Sequence, residues 1–130
     1  MERATAYKGQ VFTIAFARLK NGQSPGAEFY DALSIEDKAK LDNLFRLLAD
    51  HGRISNTEKL GVLDTGLFEF KSFQIRMPFA YAHERALVLI THGFYKKKNR
   101  APKEEIERAW RIFKEDQEQS KLRLVRKKGT

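Results

Sequence analysis

Between Ala86 and Phe94 the chain is apolar on both faces of an extended strand, with Val88 and Ile90 on one side and Leu89 on the other. A strand without a polar face must be covered on both sides, so it belongs at the centre of a sheet held between other elements. Alternation then sets Val88, Ile90, His92, Phe94 and Lys96 on one face and Leu89, Thr91, Gly93 and Tyr95 on the other. Past Thr91 the segment turns polar and delivers His92, Tyr95, Lys96, Lys97, Lys98 and Arg100 to one rim before a helix begins at Pro102. Cations fixed at the end of a packed strand can be aimed at one phosphate, which makes RNA the first partner to consider.

The charge distribution points to the same end of the chain. Phe94 to Thr130 holds 13 Lys and Arg against 6 Asp and Glu, whereas the residues before it hold 12 against 11. A local positive field of this kind suits a nucleic acid, an anionic membrane surface or an acidic protein partner, and it also fits a solvated helix face with a basic tail.

Two further strands precede the central one at short intervals, Leu67 to Lys71 and Gln74 to Tyr81. Connections this short favour an antiparallel meander. In the second of them Arg76 stands opposite the apolar row Ile75, Met77 and Phe79. If the Leu67 to Lys71 strand lies alongside, Glu69 and Lys71 fall beside Arg76 and form a cluster. Pro78 has no N–H to give to a ladder, so the strand is expected to be bulged or locally at an edge there.

The remaining elements follow from period and punctuation. Val11 to Ala17 alternates as a half-buried strand, and Ser24 with Pro25 starts a short helix carrying Phe29 and Leu33. Ser34 and Asp37 resemble a capping box ahead of Leu41, Leu44, Phe45 and Leu48, and His51-Gly52 closes that helix. Arg53 to Thr65 shows no period and reads as a loop, from which Lys59 approaches a ligand. Pro102 to about Gln119 is amphipathic, with Ile106, Ala109, Trp110 and Phe113 inward. From about residue 120 the basic tail has little to bury and is expected to be mobile.

A chain of 130 residues with ten Phe suffices for a single domain and one core, 1–130. Without cysteine it has neither disulfides nor thiolate metal sites, and no His and carboxylate spacing suggests a metal. No cofactor motif is present, the longest apolar run is too short for a bilayer, and a cytoplasmic protein is expected. Trp110 and the phenylalanines read as core rather than as a base-stacking platform. His51 and His83 read as structural, at a helix end and in a turn.

RNA cleavage at a 2′-hydroxyl needs a proton acceptor, a proton donor for the leaving oxygen and cations for the charge on phosphorus. His92, Tyr95, Arg76 and Lys96 are residues of those types, and His92 equally fits a structural histidine bonded to backbone.

Four segments carry a family resemblance: Gly66 to Lys71 (Gly-Leu-Phe-Glu-Phe-Lys), Ile75-Arg76-Met77 with aromatics after it, Val88 to Lys97, and Ala101 to Ala109. In order and spacing they resemble the phage-derived, HigB-like branch of the RelE/ParE toxin superfamily, over about Val11 to Asp116. The resemblance implies an α+β fold of order β-α-α-β-β-β-α, a small twisted, mainly antiparallel sheet flanked by helices. It implies a toxin neutralised by a cognate antitoxin, a small helix-turn-helix protein, and for many relatives metal-independent cleavage of mRNA on the ribosome. Arg76 then matches the strand arginine, Lys71 replaces the usual arginine, and His92, Lys96 and Lys97 match the strand-end motif. Arg76, His92, Tyr95 and Lys96 are the catalytic candidates, with Lys59, Lys71, Lys97, Lys98 and Arg100 binding RNA. A ParE-like inhibitor of DNA gyrase, or a phage-derived nucleic-acid-binding domain without catalysis, is the alternative.

Overall fold

Two periods, alternation in the strands and 3.6 in the helices, lay the chain out as a sheet with helices on both faces. The computed structural model describes residues 2–97 and 102–128. In chain order the elements are β1 (Thr5–Lys8), β2 (Thr13–Phe16), α1 (Pro25–Asp31), α2 (Ile35–His51), β3 (Leu60–Asp64), β4 (Leu67–Ser72), β5 (Ile75–Tyr81), β6 (Leu87–Ile90), β7 (Phe94–Tyr95) and α3 (Lys103–Lys128). The seven strands form one sheet in the order β1-β2-β6-β5-β4-β3, with β7 also paired to β5. Among the described residues only the β2–β6 pair is parallel; every other pair is antiparallel, including the expected meander β4-β5-β6.

Each face of the sheet has its own core. On one face Phe70, Met77, Phe79, Val88 and Ile90 pack against Leu41, Leu44, Phe45 and Leu48 of α2. On the other, Ala15, Ala17, Ala80 and Leu89 meet Ala109, Ile112 and Phe113 of α3. Three alanines on that face let the α3 backbone approach closely, whereas aromatic rings fill the α2 side. The central strand is thus covered on both sides, as its composition requires.

The helix ends follow local chemistry. Ser34 Oγ accepts the Asp37 N–H at 3.1 Å, and Gly52 closes α2 in the left-handed region at φ 81°. A cap of this kind contributes about 1 kcal/mol. Pro25 stands in the first turn of α1 while Ser24 Oγ donates to the Ala17 carbonyl instead of capping. Glu104 and Glu105 occupy the first turn of α3, where negative charge suits the helix dipole.

Four expectations need correction. The stretch read as a loop contains β3, an edge strand that pairs with β4 and leaves Val62 71% exposed, so it carries no apolar alternation. Thr5–Lys8 forms an additional strand against β2 with an irregular register. The helix expected to end at about Gln119 continues as α3 to Lys128. Phe73 is not core: its ring is 76% exposed at the β4–β5 turn.

A buried ionic cluster fastens the N-terminus to α3. Asp116 has no exposed surface and accepts from Arg3 Nη2 at 2.6 Å, from the Arg18 backbone N–H at 2.8 Å and from Arg18 Nη1 at 3.2 Å. Arg3 also reaches Glu84 at 2.7 Å and Ser120 Oγ at 2.6 Å. Among the described residues no helix is long and apolar enough to cross a membrane.

Candidate nucleic-acid interface

The β4–β5 hairpin sets the geometry of the site. Its register places Lys71 opposite Arg76 and Glu69 opposite Pro78, so Glu69, Lys71 and Arg76 stand together on the α3 face of the sheet. On the other edge of β5, β7 pairs Tyr95 with Ile75 and Phe94 with Arg76. The Lys96 N–H donates to the Gln74 carbonyl at 2.7 Å, which fixes the start of the basic segment against the hairpin. These residues line a cleft of about 630 Å³ between the sheet and the first turn of α3. Lys71, Arg76, Lys96 and Lys97 line it, and Glu104 and Glu105 come from the helix.

Individual side chains are held by specific bonds. Arg76 Nη1 donates to the Phe73 carbonyl at 2.6 Å and to the Ile75 carbonyl at 2.9 Å, which orients the guanidinium and leaves its other N–H groups to serve a ligand. Lys71 Nζ donates to the Thr57 carbonyl at 2.9 Å. Tyr95 is 56% exposed and braced by the Phe29 ring 5.3 Å away. Lys59 is exposed; its carbonyl accepts the Lys71 N–H, but it does not line the cleft. Lys98 and Arg100 lie outside the described residues.

Pro78 explains where the strand breaks. Its carbonyl accepts the Thr91 N–H at 2.9 Å, so the missing proline N–H would have pointed at the same neighbour. There, from Thr91 to Gly93, regular pairing lapses and divides the expected single strand into β6 and β7. The side-chain alternation changes face across the gap. Val88 and Ile90 point to the α2 core, whereas His92 lies against Glu105 of α3 and Phe94 pairs with Arg76. Gly93 permits the switch, because a Cβ there would sit 2.1 Å from the Phe29 ring. Gly93→Ala is expected to cost about 1–3 kcal/mol as Phe29 is displaced, measured as a lower urea midpoint.

His92 therefore stands behind the rim and not on it, a correction to the expected placement. It has no exposed surface, and burial, aided by Arg108 and Arg111, pushes its pKa down to about 3. The ring is neutral. Nδ1 lies 3.0 Å from Thr91 Oγ1, and Nε2 lies 3.5 Å from Glu105 Oε1, too long for a hydrogen bond. Its ring stacks on Phe94 with centroids 5.6 Å apart, so it props the cleft wall.

Glu69 is the group that the sequence reading left without a role. Burial raises its pKa even though Arg76, Lys71 and Lys96 pull it down. An acid whose pKa is raised on folding favours the folded state most below its unfolded pKa, and that advantage disappears as pH rises through the folded value. Glu69→Gln is thus expected to gain stability relative to wild type near pH 7. The gain should vanish as the pH approaches the ordinary glutamate range, and melting temperatures of both proteins across that interval measure it.

Fold and cleft together define a small α+β protein with a cationic, aromatic-edged groove beside a half-buried carboxylate. Residues 28–114 match the family model described as Phage derived protein Gp49-like (DUF891), and the chain belongs to that family, one of the RelE/ParE toxin type. The matched span runs from α1 to the middle of α3 and contains the cleft residues. No curated protein matches the chain significantly.

Proposed function

We propose that this protein is the toxin of a toxin–antitoxin pair, of the HigB-like branch, and that it cuts messenger RNA presented by the ribosome in the cytoplasm. The register of β4 and β5 carries the reading, because it brings Lys71 and Arg76 side by side with Glu69 in a cleft edged by Phe94 and Tyr95. One phosphate fits the cationic side of the cleft, with its charge taken by Arg76, Lys71 and Lys96.

In this scheme Glu69 accepts the proton of the 2′-hydroxyl, and the 2′-oxygen bonds to phosphorus. The bond from phosphorus to the 5′-oxygen breaks, and Tyr95 gives its proton to that oxygen. The products are a 2′,3′-cyclic phosphate and a 5′-hydroxyl. Desolvation suits Glu69 to the task, since a carboxylate of raised pKa is the stronger base. His92 acts indirectly, by holding Phe94. An antitoxin that neutralises the protein is expected to bring acidic groups to Lys96 and Lys97, with binding that weakens as salt is added.

Induced expression with mapping of RNA 5′ ends tests the reading. New cuts inside translated messages, absent with Arg76→Ala, are the expected result. DNA breaks without RNA cuts would select gyrase inhibition instead, and harmless expression would select a domain without catalysis.

A further inference from the structure

The turn between β4 and β5 contains a residue that folding does not favour. Ser72 pairs with Ile75, which leaves Phe73-Gln74 as a two-residue loop, and Phe73 has φ 54°. Positive φ at the first central position of such a loop is the place where glycine is preferred, because a Cβ crowds the backbone there. Phe73 is bulky, 76% exposed and part of neither core layer. An unfavourable backbone conformation and an exposed ring at one position point to a use for the ring.

Its surroundings identify the chemistry. Beside Phe73 lies a shallow pocket of about 280 Å³ lined by Asp37, Lys40, Gln74 and Tyr95. Tyr95 also lines the phosphate cleft, so the two sites share a wall. Lys40 Nζ stands 4.3 Å from the Phe73 ring centroid. The backbone of this same turn receives the Arg76 guanidinium. An exposed ring with Lys40 over one face, Asp37 and Gln74 in the same pocket and Arg76 bonded to the turn match a base attached to a phosphodiester, since the open face serves stacking and the cations serve the backbone.

We propose that Phe73 and Tyr95 form a nucleobase subsite of single-stranded RNA, next to the phosphate held by Arg76. The inference rests on the RNA-cutting reading above and adds a specificity-determining surface to it. Asp37 and Gln74 meet the polar edge of the stacked base, so base preference at the cut site depends on this pocket.

The test uses the full chain and a single-stranded RNA oligonucleotide carrying 2-aminopurine, whose fluorescence falls on stacking. Phe73→Gly is expected to melt at or above the wild-type temperature, to bind the RNA on the order of tenfold more weakly and to lose the quenching. Phe73→Trp should restore both. Arg76→Ala should weaken binding while the remaining complex stays quenched. Wild-type affinity and quenching in Phe73→Gly, with Arg76→Ala still impaired, would overturn the subsite and leave the RNA reading standing. Absence of RNA binding by the wild type would overturn the subsite, whereas the cutting reading stands or falls on the mapped 5′ ends. Loss of antitoxin binding with RNA binding intact would assign this face to a protein partner and overturn the subsite.

Discussion

Arg76→Ala is expected to lose on the order of 10²- to 10³-fold in RNA cleavage rate, the usual loss when one donor aimed at developing charge is removed. Pairing with Lys71 on one side and Phe94 on the other fixes the Arg76 backbone, and the Phe73 and Ile75 carbonyls fix its guanidinium, so the donors are oriented in the free protein. Arg76→Lys should rescue little, because an ammonium cannot hold the two carbonyls and fork onto a phosphate at once. Of the carbonyls released by the substitution, that of Phe73 is exposed at the turn and that of Ile75 is part-buried, so the fold should lose about 1–2 kcal/mol. Single-turnover cleavage alongside urea unfolding separates the two effects.

Asp116→Ala is expected to destabilise the protein by about 3–5 kcal/mol, a large part of what holds a domain of this size together. The carboxylate is fully buried and takes bonds from Arg3, from Arg18 and from the Arg18 backbone. Its removal leaves two guanidinium groups and a buried N–H without the acceptor they share. It also loosens the hold of α3 on Arg3, which keeps Ser120, and on Arg18, two residues past β2. By comparison, the exposed Lys20–Glu118 pair, 3.4 Å apart, contributes about 0–1 kcal/mol. Chemical denaturation measures the difference directly, and a loss below about 1 kcal/mol would contradict the role given to Asp116.

Much of the framework could be read from residues because local and tertiary signals agree in it. Ser34, Asp37 and Gly52 mark α2, and the apolar runs separated by Ser72-Phe73 and by residues 82–85 give the meander. Arg76 and Lys71 were assigned correctly to one face because alternation holds without a break through β4 and β5. His92 was misplaced because the same alternation was carried across Thr91 to Gly93, where the ladder lapses opposite Pro78. Proline signalled a defect, but not that the defect would fall on the neighbouring strand and turn it over. β3 left no signal because an edge strand with Val62 in solvent buries too little to need alternation. The amphipathic pattern of α3 fades near Gln119, yet Lys, Leu and Arg are good helix formers and the helix continues. Glu69 is visible in the sequence as a carboxylate two residues before Lys71, and its half-buried position beside three cations is what singles it out as the proposed base.

The proposed chemistry has this cleft direct a 2′-hydroxyl at the adjacent 3′-phosphate. End analysis of a defined message, translated in a purified system with the wild-type protein, tests it most directly. Discrete cuts that leave 2′,3′-cyclic phosphate and 5′-hydroxyl ends, and that disappear when the cut nucleotide is made 2′-deoxy, are the expected result. An intact message, or cuts that persist at a 2′-deoxy nucleotide, would contradict it.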